Sequence, residues 1–367
     1  MNMHERVSKL STSLKSIAEE LDIPESTYLE AVKRYQAVGE WLNGEGSHLA
    51  KYAPEIYPQG SFRLGTVVKP ISDKDEYDVD LVCFLAKLSK ADISQKELKN
   101  VVGERLKKHE TYKRLLDEEG RRCWTLNYAN EFHMDILPSI ADLDHREQGG
   151  FYRHAILITD TQNAEQEWPK SNPEGYAEWF FSRHKSIFMT RKKKLAEMEK
   201  AAVEDIPDYK IKTPLQRSVQ ILKRHRDFFF SRRKGDCKPI SIIITTLAAT
   251  LYKGQDNIYD TTHDILQGID EKMVVKEGKF YIGNPVSLEE NFAEKWNEDS
   301  NLPKAFFEWI TDAKRTFCED VIKQESDLEI AKTLKESLGS AGAAFKDKEQ
   351  SFAEPIIVKS PSKPWCD

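Results

Sequence analysis

Three aspartates stand out for chemistry in this chain: Asp78 and Asp80 in EYDVDLV, and Asp135 in FHMDIL. Each lies in a stretch patterned like a β-strand. Residues i and i+2 of a strand share a face, so Asp78 and Asp80 point the same way, about 7 Å apart, while Val79 and Leu81 enter the core. Asp135 sits between Met134 and Ile136, where a carboxylate must find a partner or a ligand. On neighbouring strands the three would converge, and converging carboxylates ionise together only at high cost without a cation. Hard oxygen ligands suit Mg²⁺ or Mn²⁺. Two such ions ~3.5–4 Å apart clamp the attacking and leaving oxygens of a phosphoryl displacement. The turn Gly60-Ser61 in PQGSFRLGT supplies what the other end of a nucleotide needs: close backbone approach, N–H donors and a hydroxyl. Taken singly, an acidic pair or a Gly-Ser turn says little. In this order, and flanked by strands, they point to nucleotidyl transfer from a nucleoside triphosphate.

The elements that must position these residues are legible in outline. Residues 1–50 read as helical, with Leu29, Val32, Ala37 and Trp41 at roughly helical spacing before a glycine stop. From Ile56 to about Ile158 the pattern is mixed: YDVDLVCFL as one strand, RRCWTLNY and FHMDILPSI as two adjacent ones. Between them a helix opens at Ser94 with Glu97 three residues on, a capping box. From Glu174 onward the reading is helical: a long amphipathic stretch ended by Pro207, then a helix opened by Thr213, Pro214 and Gln216. KPISIIITTLAATLY is ambiguous, a strand by its β-branched run and a buried helix by its length. A last helix is expected from Pro303 to Leu338. The fold class is α+β.

The 367 residues suffice for two domains, and 32% charged against 39% hydrophobic is an ordinary globular mixture. With 55 basic against 61 acidic residues and a pI near 6.0, the surface as a whole is no nucleic-acid glove; such domains typically exceed a pI of about 9. No apolar stretch reaches the ~20 residues of a spanning helix, and the charged N-terminus shows no signal peptide. Five scattered cysteines with no CxxC pair argue against zinc or a disulfide framework. A reducing cytoplasmic location is expected.

The segments YPQGSFRLGTVVKP, EYDVDLV and FHMDILPSI, with TPLQRSVQILKRHRDFF and KPISIIITTLAA further on, resemble the polymerase-β-like nucleotidyltransferases. Within them the likeness is to the bacterial cGAS/DncV-like enzymes (CD-NTases), which make cyclic oligonucleotide signals in anti-phage (CBASS) defence. The resemblance implies a mixed-sheet catalytic core with an N-terminal brace helix over residues 1–205. An oligoadenylate-synthetase-like helical domain would span 206–338 and a flexible tail 339–367. It implies that Asp78, Asp80 and Asp135 hold two Mg²⁺ ions, with Mn²⁺ as a substitute. Gln59, Gly60 and Ser61 would hold the donor phosphates, and Lys223 and Ser241 would contact the triphosphate. It also resolves KPISIIITTLAATLY as a buried helix.

The substrates implied are ATP and GTP, joined into a cyclic di- or trinucleotide. In this family the C-terminus often serves a ubiquitin-like conjugation enzyme, although this chain ends in Trp365-Cys366-Asp367 rather than a small residue. No zinc-ligand cluster for DNA sensing is visible, so no nucleic-acid activator is expected. Read from their residues alone, Arg121-Arg122, Arg191 to Lys194 and Arg232 to Lys234 fit solvated faces better than a nucleotide channel or a duplex-DNA surface; Lys223 fits a solvated helix face as well as a phosphate contact, and Ser241 fits a capping hydroxyl near a helix start. His133, two residues before Asp135, reads as structural. Rival functions are a template-independent nucleotidyltransferase acting on RNA, protein or a small molecule, and a non-catalytic nucleotide-binding scaffold.

Overall fold

In a computed structural model the chain is described over residues 3–72, 76–128, 132–163, 167–233, 235, 237–324 and 326–339. The expected tail from residue 340 onward lies outside them. The N-terminal helical region is two helices, α1 (Met3–Glu20) and α2 (Glu25–Asn43), separated by Pro24. They serve different cores. Leu10, Leu14, Ile17 and Leu21 pack among the helices of the second half. In α2 the buried positions are Ala31, Val38 and Leu42, which pack under the sheet. Leu29, expected on the apolar face, is 49% exposed.

Strand β1 (Pro54–Pro58) leads into the short helix α3 (Gly60–Leu64). Then come β2 (Tyr77–Leu85), α4 (Gln95–Lys107) and α5 (Glu110–Leu115). The capping box of Ser94 and Glu97 forms at the start of α4. β3 (Trp124–Tyr128) and β4 (Phe132–Ala141) pair antiparallel, β1 lies antiparallel to β2, and β2 runs parallel to β4. After α6 (Leu143–Arg146), β5 (Ile156–Ile158) takes over the edge of β4 that β3 leaves free, and β6 (Lys170–Ser171) follows it. The result is a six-stranded mixed sheet. Its α4 side buries Leu98, Val102 and Leu106 against Leu81, Cys83 and Ile136.

The second half is helical. α7 (Pro173–Glu199) stops earlier than Pro207, at Lys200 in the left-handed conformation, and two single 3₁₀ turns carry the chain to residue 210. α8 (Pro214–Ser231) opens with the Thr213–Gln216 capping box. Residues 241–251 are helix α9, so burial overrides β-branched propensity there. After α10 (Ile258–Lys272) come two small hairpins that helical reading had missed: β7 (Val274–Lys276) with β8 (Lys279–Tyr281), and β9 (Gly283–Asn284) with β10 (Ser287–Asn291).

The expected single last helix is three. α11 (Asn301–Lys314) runs through a π-turn at Arg315–Asp320 into α12 (Val321–Lys323), and α13 (Asp327–Leu338) starts anew at the Ser326–Glu329 capping box. No helix among the described residues is long and apolar enough to cross a membrane.

Candidate active site

Strand register brings the acidic residues together. On β2 and β4, Asp80 stands opposite Asp135 and Asp78 opposite His133, while Val79 and Leu81 point into the core. One strand further, Thr125 of β3 is in register with Asp135, and its hydroxyl donates a short hydrogen bond to the Asp135 carboxylate. The other edge of β2 carries β1, whose extension delivers Gln59, Gly60 and Ser61. The Gln59 N–H donates to the Asp80 carbonyl at 2.8 Å, which fixes the turn on the strand.

Gly60 cannot readily be another residue here. Its φ is +59°, and a Cβ would sit 2.5 Å from Asp80 Oδ2. Ser61 follows at the start of α3, where amide N–H groups have no intrahelical acceptor.

The carboxylates crowd one another. Burial, then Asp135 and Asp78, push Asp80 up to about 6. Asp78 is also raised, by desolvation and then by Asp135, while His133, Lys223 and Lys238 pull it back. His133 is a partner of Glu76, with Nε2 2.7 Å from the carboxylate. Among the described residues no three His, Cys, Asp or Glu side chains form a ready-made metal cage. Asp78, Asp80 and Asp135 therefore do not form a preassembled three-carboxylate metal site. A raised, mutually repelling carboxylate set is the donor chemistry that divalent cations relieve.

The opposite wall comes from the helical half, and Lys223 is not a solvated position. It is 7% exposed; its Nζ donates to the Thr66 carbonyl at 3.0 Å, and burial lowers its pKa to about 8 despite the pull of Asp80 and Asp78. It belongs to a seam. Gln216 donates to Leu64 O, Lys212 to Gly65 O, Gln220 to Val67 O and Arg224 to Lys69 O, all at 2.7–2.9 Å. Side chains on or just before α8 thus hold the backbone of 64–69, the segment that continues from the Gly-Ser turn.

Ser241 is the first residue of α9, but it does not cap; its hydroxyl accepts from Arg226 at 2.9 Å, and the same guanidinium nitrogen holds the Pro239 carbonyl. Arg226 also pairs with Asp227, which Lys238 Nζ approaches at 3.4 Å. Arg226, Asp227, Lys238, Thr66 and Thr125 were not singled out from the sequence. KPIS and RHRD carried the signal for the first three, two polar runs that must meet if α8 and α9 pack together.

The other basic residues are elsewhere. Arg121 and Arg122 pair with the buried Asp160, Arg191 binds the carbonyls of Lys212 and Asp256, and Arg232 and Arg233 lie over Phe228 and Phe229.

A parallel pair of strands presenting aspartates beside a Gly-Ser turn, faced by a helical lobe, defines a nucleotidyltransferase. Residues 9–183 match the family described as Second Messenger Oligonucleotide or Dinucleotide Synthetase domain. The chain is 33% identical over 307 residues to a "c-di-GMP synthase" of Roseivirga ehrenbergii, covering 83% of this chain and 77% of that one. It is 25% identical over 304 residues to the cyclic dinucleotide synthase CdnG of Bradyrhizobium diazoefficiens, covering 79% and 70%. The solved structure of that CdnG with GTP superposes with a TM-score of 0.70 at 20% identity, over 94% of this chain and 99% of the other. The chain belongs to the CD-NTase family and is a nucleotidyltransferase enzyme.

Proposed function

We propose that this protein joins GTP into a cyclic dinucleotide, with cyclic di-GMP as the product, as a signal in anti-phage defence. The single observation that carries the chemistry is the register that sets Asp80 beside Asp135, with the Gly60 turn pressed against the Asp80 carboxylate. The choice of guanine rests on the similar proteins, one named for cyclic di-GMP and one solved with GTP.

In this reading Gln59, Gly60 and Ser61 hold the donor phosphates, and Lys223 and Ser241 supply polar groups from the opposite wall. The seam of α8 keeps the turn still, so that phosphate binding costs little reorganisation. Asp78 and Asp80 would hold two Mg²⁺ ions, with Asp135, oriented by Thr125, completing one site. When bound, those ions activate the attacking ribose hydroxyl and neutralise the charge developing on the α-phosphate. A second transfer of the same kind closes the ring.

Incubation with labelled GTP and Mg²⁺, followed by phosphatase and mass spectrometry, tests this. A phosphatase-resistant cyclic dinucleotide is expected, and its loss in Asp78→Asn with Asp80→Asn. A linear, phosphatase-sensitive extension product would mark template-independent tailing instead. GTP binding without turnover would mark a scaffold.

A further inference from the structure

Side chains of α8 serve both walls of the cleft. Gln216, Gln220, Lys223 and Arg224 hold the backbone of 64–69, whereas Arg226 reaches the loop before α9 and the first residue of that helix. The Arg226 side chain is buried and engaged at both ends. Its Nε and Nη2 donate to Asp227 Oδ1 at 2.9 and 2.7 Å. Its Nη1 donates to the Pro239 carbonyl and to Ser241 Oγ, each at 2.9 Å. Both Nη1 hydrogens are thus spent on the entry to α9, with the Asp227 carboxylate balancing the charge behind them. The pair stands at the wall that carries Lys223. After burial, the strongest influences on the Lys223 ammonium are Arg226, which lowers its pKa, and Asp227, which raises it.

Chemistry fixes the direction of the bond to Ser241. A guanidinium has five donors and no acceptor, and it keeps its protons in a protein. Ser241 must therefore accept, and its own hydroxyl hydrogen has to point elsewhere. Among the described residues no acceptor takes that hydrogen. The serine backbone is held separately, because the Thr245 hydroxyl donates to its carbonyl at 2.9 Å. A hydroxyl that accepts from a cation also becomes a stronger donor through its remaining hydrogen.

We propose that Arg226 is a positioning residue for the triphosphate: it occupies the acceptor side of Ser241 Oγ, so that the hydroxyl offers its hydrogen to an anionic phosphate oxygen. Asp227 holds the guanidinium to this task. This inference rests on the reading of the cleft as a nucleotide site. Without Arg226 the hydroxyl is free to rotate, and the Pro239 carbonyl, which shares the same nitrogen, becomes a rival acceptor for its hydrogen.

The test is a double-mutant cycle on the full chain. Its readout is the calorimetric Kd, in Mg²⁺, of a GTP analogue with a methylene between the α- and β-phosphates, which cannot be turned over. Ser241→Ala should weaken binding about tenfold, the loss of one hydrogen bond to a charged group. Arg226→Met, of similar length and without donors, should weaken it by at least as much. The double variant should bind within about threefold of Arg226→Met, because the hydroxyl is already misdirected there. General damage to the cleft would instead add to the Ser241→Ala loss. Arg226→Lys keeps a cation beside Asp227, but one nitrogen cannot replace three; it carries the same cycle if Arg226→Met does not fold. Losses that multiply in the double variant overturn the proposal, as does wild-type affinity in either single variant. Absence of analogue binding by the unmodified protein does so too. Product formation from GTP is assayed apart and decides the synthase reading alone.

Discussion

Two regions of this enzyme bury polar groups, and they do it in opposite ways. Along α8, Gln216, Gln220, Lys223 and Arg224 are buried, and each reaches a backbone carbonyl of 64–69 that would otherwise lack a donor. Across the cleft, Asp78, Asp80 and Asp135 are gathered with like charge against like, and Asp80 is driven up to about 6. A satisfied seam adds stability and holds a shape. A repelling cluster costs stability and persists because something else binds it. The two differ in what substitution should do, and opposite signs in stability and activity would separate them.

The largest effect belongs to the cluster. Asp80→Asn should lower turnover by about a thousandfold or more, corresponding to roughly 4 kcal/mol of transition-state stabilisation. The same change should make the metal-free protein more stable. Asp80 is raised about two units above its ordinary value, and its penalty at neutral pH is therefore about 3 kcal/mol. The sign follows from proton counts: between about pH 4 and 6 the folded state holds a proton that the unfolded state has lost. This group's contribution thus declines as pH rises through that window. Melting curves in a chelator should show the difference between wild type and Asp80→Asn growing from pH 4 to 6, and added Mg²⁺ should stabilise the wild type alone. A variant that is both inactive and less stable in chelator would break the contrast.

Gly60→Ala comes next. A side chain at φ +59° costs about 1–2 kcal/mol, and its Cβ would meet Asp80 Oδ2 at 2.5 Å. The carboxylate has to move, so turnover should fall about a hundredfold for a displacement near 1 Å. Steady-state kinetics beside melting curves check it. A variant with wild-type turnover would mean that the turn and the aspartate are not one machine.

In the seam the pattern should reverse. Gln220 is fully buried and donates to both Asp22 and the Val67 carbonyl, so Gln220→Leu leaves the Val67 carbonyl without this donor and Asp22 with Arg217 alone. A loss of about 2 kcal/mol in stability is expected, with kcat at saturating GTP nearly unchanged well below the melting temperature. Urea unfolding and initial rates on the same preparation measure both.

This asymmetry explains what could be read from the sequence. The three aspartates were legible because carboxylates within apolar, alternating stretches violate the rule for strands, but that β2 lies beside β4 is visible only in the pairing of the folded chain. The order β1, turn, β2 and the opposition of Asp80 to Asp135 then come from pairing. The seam was not legible, because glutamine, lysine and arginine on an amphipathic helix look solvated whatever covers them. What covers α8 is an irregular strap with no period of its own, so its residues alone do not separate Lys223 from a solvated position. The small hairpins of 274–291 were lost in a region whose strands are only two to five residues long.

The smallest expected effect lies where the regions meet. Lys238 is exposed, is tethered loosely to Asp227, and lowers the pKa of Asp78 from across the cleft. A charge so placed attracts a triphosphate without touching the reacting atoms, and salt screens it over about 10 Å at 0.1 M. Lys238→Ala should therefore raise KM for GTP about threefold to tenfold and leave kcat within about twofold, a loss of uniform binding. The gap between wild type and variant should shrink as ionic strength rises. A fall in kcat that salt does not mask would put Lys238 on the transition state, and the proposed catalytic cluster would then extend past β2 and β4 to the loop before α9.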